Sequence, residues 1–508
     1  MIKKVIPAAC RILRERDGKT EIAGKGNKEK EEKAMSEERT QKDMTDRKIY
    51  RSGKENRKKQ QNVDMIHGPL TGKILMFTLP IMLSSILQLF FNAADIIVVG
   101  RFAGSSSLAA VGSNGALINL IVNLLIGLSV GCAVAVAFYY GANEMDQVKE
   151  TIHTSIAISL IGGVICLIAG IVFSPIMLRM MGTPENILGK AELYLRIYFI
   201  GLPAMSIYNF GSAILRSLGD TKHPLYYLVT AGIINIVLNI IFVAGFGMDV
   251  AGVAIATVLS EVVSAALTLR FLMRMEQEIR LEWRLVKISK PKLIRIAKVG
   301  VPSGIQSAVF SFSNVLIQSS INSFGELAVA GNSAASNIEG FIYVAMNSFY
   351  QSAQTFTSQN VGAQKYDRIN KVLLNCLVMV AITGLVLGNG AYFFGEQLLG
   401  IYLPGDEAAI AYGIARMGVI AVTYCLCGMM DVLSGSLRGM GESVLPMVVS
   451  MIGSCLLRVI WICTVFAHFH SLRVLYYSYP ISWILTESVH LICYFYVKRR
   501  LIRRHGMA

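Results

Sequence analysis

From about residue 70 onward the chain alternates long apolar runs with short polar or Gly/Pro breaks. Twelve runs have helical composition, near 74–99, 107–138, 152–178, 190–213, 224–246, 251–274, 295–320, 327–356, 370–397, 408–434, 443–467 and 475–497. The breaks, such as MGTPEN at 181–186, GFGMD at 245–249 and LPGDE at 403–407, carry the residues that end helices and open turns. At 1.5 Å per residue, about 20 residues cross a hydrocarbon core of roughly 30 Å. A membrane barrel would instead show alternating strands of about ten residues. The pattern therefore predicts an all-α polytopic membrane protein with twelve transmembrane helices.

Composition agrees. The chain is 54% hydrophobic and 16% charged, against about 25% charged in a soluble domain. The net charge of +15 would suit nucleic acid, but its distribution does not. Residues 1–62 hold 19 Lys or Arg against 11 Asp or Glu and read as a solvated, disordered basic tail without the apolar core of a signal peptide. The even-numbered breaks and the C-terminal tail together carry 21 Lys or Arg, and the odd-numbered breaks carry 4. That asymmetry places both termini in the cytoplasm of a multi-pass protein of the plasma (cell inner) membrane. The nine cysteines form no CxxC metal pattern and read as small packing residues. No GxxxxGK[ST] element is present, so the chain is read as neither an ATPase nor another enzyme, and as needing no cofactor.

The two halves echo each other. GKILMFTLP at 72–80 answers IRIAKVGVP at 294–302, and LAAVG at 108–112 answers LAVAG at 327–331. YYGANEMDQVKE at 139–150 answers QNVGAQKYDRIN at 359–370, and ILRSLGDTKHPL at 214–225 answers SLRGMGESVLPM at 436–447. The spacing stays within 219–222 residues, which gives two parallel six-helix lobes related by a pseudo-two-fold axis along the membrane normal. The expected organisation is a tail over 1–65, an N-lobe over 66–275, a cytoplasmic linker over 276–294, a C-lobe over 295–497 and a basic tail over 498–508.

Several polar residues lie inside apolar runs. Asp95, in FNAADIIVVG, is the most conspicuous. A charged carboxylate at that depth costs roughly 2.5–3.5 kcal/mol, so it must neutralise, pair or face water. A proton or sodium ion is one solution, with Gln88, Asn92, Asn235 and Asn239 as candidate polar neighbours. Asn235 and Asn239 are four apart and share a helical face. Asp431 and Glu339 are embedded carboxylates of the second half, and Glu261 and Glu487 are two more. Either Glu339 or Glu261 could face a cavity or pair with an arginine such as Arg458 or Arg196. Polar positions at helical spacing (Asn114, Asn119 and Asn123; Asn347, Gln351 and Gln354), with Asn209, could line a cavity. Met417, Met429 and Met430 suit promiscuous apolar ligands or plain packing equally well.

The stretch GPLTGKILMFTLPIMLSSILQLFFNAADIIVVGRFAGSSSLAAVG at 68–112, with QNVGAQ at 359–364 and GSLRGMGES at 435–443, resembles the multidrug and toxic compound extrusion (MATE) family. The likeness runs from about residue 66 to the end and looks closest to the bacterial branch of DNA-damage-inducible and staphylococcal exporters. It implies a V of two six-helix lobes that exchanges Na+ or H+ for organic, often cationic, compounds. It also implies that Asp95 is the coupling carboxylate. Many relatives resemble NxxLD where this chain has Asn239, and an amide cannot exchange a proton. The resemblance further matches Asp431 to an aspartate of a C-lobe cation site. The glutamate that completes that site in vibrio-type members is Phe310 here, leaving Gln306, Ser311, Ser313 and Asn314 nearby.

The expected function is therefore secondary active antiport of a small organic, cationic or amphipathic substrate by a monomer in the lipid bilayer, with no nucleic-acid partner and no bound metal. A lipid-linked or polysaccharide precursor flippase, a channel and a non-transporting membrane assembly protein remain alternatives.

Overall fold

The computed structural model describes residues 62–504; all but the last four residues of the tail expected over 1–65, and the last four residues of the chain, lie outside them. Twelve crossing elements follow in order. The first six are α1 (Thr71–Ala103), α2 (Gly115–Gly141), α3 (Met145–Met180), α4 (Glu185–Ile200 and Leu202–Ser217), α5 (Lys222–Gly245) and α6 (Asp249–Arg274). The second six are α7 (Lys290–Asn322), α8 (Glu326–Gly362), α9 (Tyr366–Phe393), α10 (Glu407–Met417 and Tyr424–Gly439), α11 (Val444–Phe469) and α12 (Leu472–Arg504).

Only seven of the described helices are long and apolar enough to cross a membrane by composition, or eight with the two halves of α4 taken as one span. The others are polar for a reason. A helix packed among helices can carry hydroxyls and amides that lipid would reject. α8 buries Asn332, Glu339, Ser348, Ser352, Gln354, Thr355, Thr357, Ser358, Gln359 and Asn360. On α12, Ser478, Ser482, Thr486 and His490 recur every four residues, all at most 1% exposed. Three of them meet α11: Ser450 with His490, Ser454 with Thr486, and Arg458 donating to Ser482 at 3.0 Å. Arg458 thus ties two helices together, its guanidinium 4.2 Å from the Tyr479 ring.

The repeat is written in the backbone. Positive φ recurs at Gly104 and Gly325, Asn143 and Gln364, Gly219 and Gly441, and Asp249 and His470, pairs 221 or 222 residues apart. The helix breaks recur as well. α4 bends 47° at Gly201, where Pro203 follows in the next turn, and α10 is interrupted over 418–423. Several spans differ from the apolar runs. A separate helix, Ser105–Ser113, precedes α2, because Asn114 turns its side chain to the Ala191 carbonyl at 3.0 Å. α12 runs on to Arg504, its basic end being made of good helix formers.

The two lobes exchange the starts of their first helices. Ile74, Phe77 and Ile81 of α1 are buried in a core otherwise built from α8, α9, α10 and α12. Further along, past Met82, α1 changes sides, and Val98 and Val99 enter the N-lobe core. α7 mirrors this. Its Gly300 and Gly304 lie against α2, and beyond Pro302 its Ile317 and Ile321 join a C-lobe core. A methyl group on Gly131 would fall 2.1 Å from the Ile296 carbonyl oxygen, so only glycine permits this crossing. Each first helix therefore belongs to both lobes.

Residues 63–65, expected within the tail, instead open a strap packed on the lobes. Val63 donates to the Gly219 carbonyl at 3.0 Å, and the Met65 carbonyl accepts from Asn360 at 3.2 Å. Arg368 donates to Gly68 at 3.2 Å. The strap joins the end of α4 to the turn between α8 and α9. Burial raises the Asp64 carboxyl, but the Ile66 N–H, Lys73 and His67 outweigh it and hold the group below the usual range. A depressed folded value stabilises above the unfolded pKa of about 3.9 and is lost as pH falls through the folded value, so acid loosens the strap. The linker between lobes is pinned to α3. Lys149 meets Glu282 at 2.8 Å, the Glu282 N–H donates to His153 at 3.0 Å, and the Ser289 N–H donates to Thr154 at 3.2 Å.

Candidate functional site

α1 carries Asp95 within its N-lobe half, one turn before the helix widens into a π turn at Val99–Ala103. α5 presents Asn235 and Asn239 on one face, just ahead of its own π turn at Ile240–Gly245. Asn239 donates to Asp95 at 2.5 Å and to the Asn235 oxygen at 3.2 Å. Asn235 donates to Thr257 of α6 at 3.4 Å. Asn239 is 0% exposed and Asn235 5%. Asp95 is half-buried and has no cationic partner among the described residues. One amide bond leaves most of the desolvation of a charged carboxylate unmet. The Asn239 oxygen is itself buried without a partner. Asp95 faces the Asn239 amino group; turned over, that amide would offer an oxygen beside the carboxylate, a hard donor set suited to a proton or an alkali cation rather than a transition metal. No group of three His, Cys, Asp or Glu gathers anywhere among the described residues.

Gln88 and Asn92 do not join this network. They share a face of α1 with Asp95 but are exposed and give it no hydrogen bond. Thr257 takes the place expected of them. The sequence offered a signal for it, since Thr257 and Glu261 are polar residues four apart in an apolar run.

In the C-lobe, Asp431 is half-buried on α10 and forms no hydrogen bond or ion pair among the described residues. Its repeat counterpart Asn209 is likewise half-buried and unbonded there. The other C-lobe candidates are not gathered around Asp431. Gln306 accepts from Arg438 at 2.7 Å, while Asn314 is exposed on α7. Glu339 pairs with neither Arg458 nor Arg196. It is clamped by Arg416 at 2.7 Å, and Arg416 also donates to Asn332 at 2.6 Å. The sequence hid this pair, because Arg416 sits at the broken end of α10, where the apolar run gave no hint of an interruption.

Glu339 and Arg416 are 3% and 6% exposed. Removing one partner of a buried pair strands the other charge, at about 3–5 kcal/mol. Glu339→Gln should therefore lower the thermal unfolding midpoint in detergent sharply, and Glu339→Leu with Arg416→Met should recover most of the loss. An unchanged midpoint in Glu339→Gln would show that the pair does not hold α10.

The candidate cavity residues divide. Asn123, Asn347 and Gln351 are half-buried. Gln351 donates to Asn347 at 3.3 Å and accepts from Arg216 at 2.7 Å. Gln354 is 4% exposed, and Gly439 is packed against its carbonyl. Met430, at 3% exposure, lies beside Ser454 in the C-lobe core that Ile317 and Ile321 of α7 join, whereas Met417 is buried in, and Met429 packs against, the core that receives Ile74 and Phe77 of α1.

The lobes are sealed at the end where α2 and α8 finish. Ser358 donates to the Val134 carbonyl of α2 at 2.8 Å, Gln359 to Ser217 of α4 at 2.7 Å, and Asn360 to Met65 of the strap at 3.2 Å. Three consecutive side chains thus reach three different elements. Methyl groups on Gly141 and Gly362 would lie 2.1 Å from the Gln359 oxygen and 2.0 Å from the Phe138 oxygen. Arg216 and Arg438 bond to neutral groups: Gln351 for the first, Gln306 and the Tyr350 hydroxyl for the second.

Comparison with known proteins fits this architecture. The MatE family model matches residues 80–241 and 302–464, one segment in each lobe. The "Probable multidrug resistance protein YoeA" of Bacillus subtilis (strain 168) is 28% identical over 423 residues, covering 80% of this chain and 90% of that protein. The "Multidrug export protein MepA" of Staphylococcus aureus (strain NCTC 8325 / PS 47) is 20% identical over 374 residues, covering 74% and 82%. A solved structure of a MOP superfamily transporter from Pyrococcus furiosus superposes with a TM-score of 0.81 at 24% identity, covering 87% of this chain and 99% of that one. Two six-helix lobes, a repeated backbone signature and a family match in each half lead to one conclusion: the chain belongs to the MatE family of multidrug and toxic compound extrusion proteins.

Proposed function

We propose that the chain is a secondary active antiporter that exports organic, cationic or amphipathic compounds in exchange for Na+ or H+. The observation that carries this reading is Asp95, a carboxylate within a membrane helix whose bonded partner is an amide and which has no fixed cation beside it among the described residues. The names of YoeA and MepA, a multidrug resistance and a multidrug export protein, support the substrate class. Within the family we assign the chain to the branch containing the staphylococcal exporters, on the text around Asp95. The charge asymmetry supports placing the sealed, basic end in the cytoplasm.

Coupling follows from α1 serving two lobes. With Asp95 bare, its charge demands water or donors, which favours lobes parted around it. A cation neutralises it, and the N-lobe half of α1 can repack. The other half of α1 is fixed in the C-lobe core, so that repacking moves one lobe against the other. The membrane potential contributes about 2.3 kcal/mol per charge per 100 mV, beside the ion gradient. The test is dye transport in proteoliposomes under separate sodium and proton gradients. One gradient is expected to drive net dye movement, and dye movement indifferent to both gradients would remove antiport.

One observation favours a second reading. Arg216 and Arg438 are guanidiniums at repeat-equivalent positions with, among the described residues, no carboxylate hydrogen-bonded to either and no partner for either Nε. Such a pair would suit an anionic amphiphile of the lipid-linked precursor type. Competition of an anionic amphiphile with the cationic dye separates the two.

A further inference from the structure

Resting on the antiport reading, we infer that Glu261 of α6 is a second cation-holding carboxylate of the N-lobe, linked to Asp95 through Asn239, Asn235 and Thr257. Three observations meet there. Glu261 borders a cavity of about 10 Å³ beside the bend of α4, with Tyr198, Gly201, Met205 and Thr257 around it. That is room for one water-sized particle. Among the described residues its carboxylate receives one weak side-chain hydrogen bond, from Ser264 at 3.5 Å, and no ion pair. Thr257, one turn earlier on the same helix, is the terminal acceptor of the amide chain that begins at Asp95.

The chemistry of that chain defines its role. Amides do not pass protons along, so Asn239 and Asn235 cannot work as a proton wire. They relay orientation. The Asn239 amino group donates to Asp95 and to Asn235 together, and Asn235 in turn donates to Thr257, whose hydroxyl donates to the Val253 carbonyl at 3.0 Å. When a cation neutralises Asp95, the hold on Asn239 weakens and the set can turn, which frees the Thr257 oxygen to face Glu261. Among the described residues, the titratable groups close enough to feel Glu261 are Tyr198 and Tyr208 of α4. Tyr198 also lies close enough to Asp95 to feel its charge. Neither phenol supplies a positive charge. The ligand is thus a monovalent cation no larger than a water molecule, such as a dehydrated sodium ion, and a proton meets the same need. Glu261 contributes the charge, and the Thr257 and Tyr198 oxygens contribute neutral ligands.

The consequence is a second ion per cycle. With the full chain in proteoliposomes and the membrane potential clamped at zero, an ethidium gradient is set against a tenfold ion gradient until net flux stops. Two coupled ions put that null point at about a hundredfold dye ratio, and one ion puts it at about tenfold. Sodium and proton gradients, run separately, identify the ion. The native chain is expected near the higher ratio and Glu261→Gln near the lower one. Dye-for-dye exchange in Glu261→Gln reports that the variant is folded. If it does not reconstitute, Thr257→Val takes its place, with the same lowered ratio expected. A native null point in the variant, or a tenfold null point in the native chain, overturns the second site. Native dye movement indifferent to both gradients sinks the antiport reading instead.

Discussion

Asp95→Asn is expected to leave a folded protein that exchanges dye for dye but no longer responds to an ion gradient, because the lobes turn on Asp95 and an ion held at Glu261 alone moves neither. The replacement keeps an oxygen to accept from Asn239, now 2.5 Å from the aspartate, and removes only the charge and the titration. Removing a carboxylate from a membrane helix relieves roughly 2.5–3.5 kcal/mol of insertion cost, so the variant should be at least as stable as the native chain. Loss of coupling with stability retained would therefore locate the defect in the chemistry. Gradient-driven dye efflux should fall at least tenfold, while counterflow without a gradient should change little. A collapse of both activities with a lowered unfolding midpoint would mean that the carboxylate is structural.

Gly362→Val is expected to be nearly as severe through a different route. A single methyl there would already sit 2.0 Å from the Phe138 oxygen, so the larger side chain cannot be accommodated while α2 and α8 touch. Overpacking a well-fitted contact costs about 1–3 kcal/mol when side chains can yield, and more where the obstacle is backbone. The lobes should part at that end, the Ser358, Gln359 and Asn360 bonds should break, and turnover should drop at least tenfold. Gly340→Ala on the same helix is the control. Nothing lies within 4 Å of its would-be methyl, and the helix should gain up to about 1 kcal/mol. Labelling of a cysteine placed at Ser358 should rise only in the Gly362 variant. Equal labelling in both would show that the seal does not depend on this approach.

Much of this was legible before any coordinates. Apolar runs and turn residues marked the spans, and the doubled motifs around Arg216 and Arg438 marked the repeat. Asp95 with Asn235 and Asn239 could be named because an embedded carboxylate needs partners and a four-residue spacing shares a face. What the sequence could not carry is which lobe a helix packs into. Nothing in GKILMFTLP says that Ile74 and Phe77 lie in the opposite lobe's core, because an apolar face looks the same whichever core it enters. The Glu339–Arg416 pair was hidden for a related reason. Its partners are 77 residues apart and lie on helices that only tertiary packing brings together. Thr257 was missed because a lone hydroxyl in a membrane helix is ordinarily satisfied by its own backbone, as this one also is, through Val253. Gln88 and Asn92 lie on the same helix face as Asp95, but exposure on that face does not bond them to it.

The central claim is that ion occupancy at Asp95 moves one lobe against the other. Its most direct test is a distance, with spin labels at Ser106 and Ser323, both exposed at the end opposite the seal, in a background without native cysteines. On adding the coupling ion, the native chain should shift to a shorter separation. Asp95→Asn should show that shorter separation without the ion and stay there when the ion is added. An equal, ion-dependent shift in both proteins would contradict the claim.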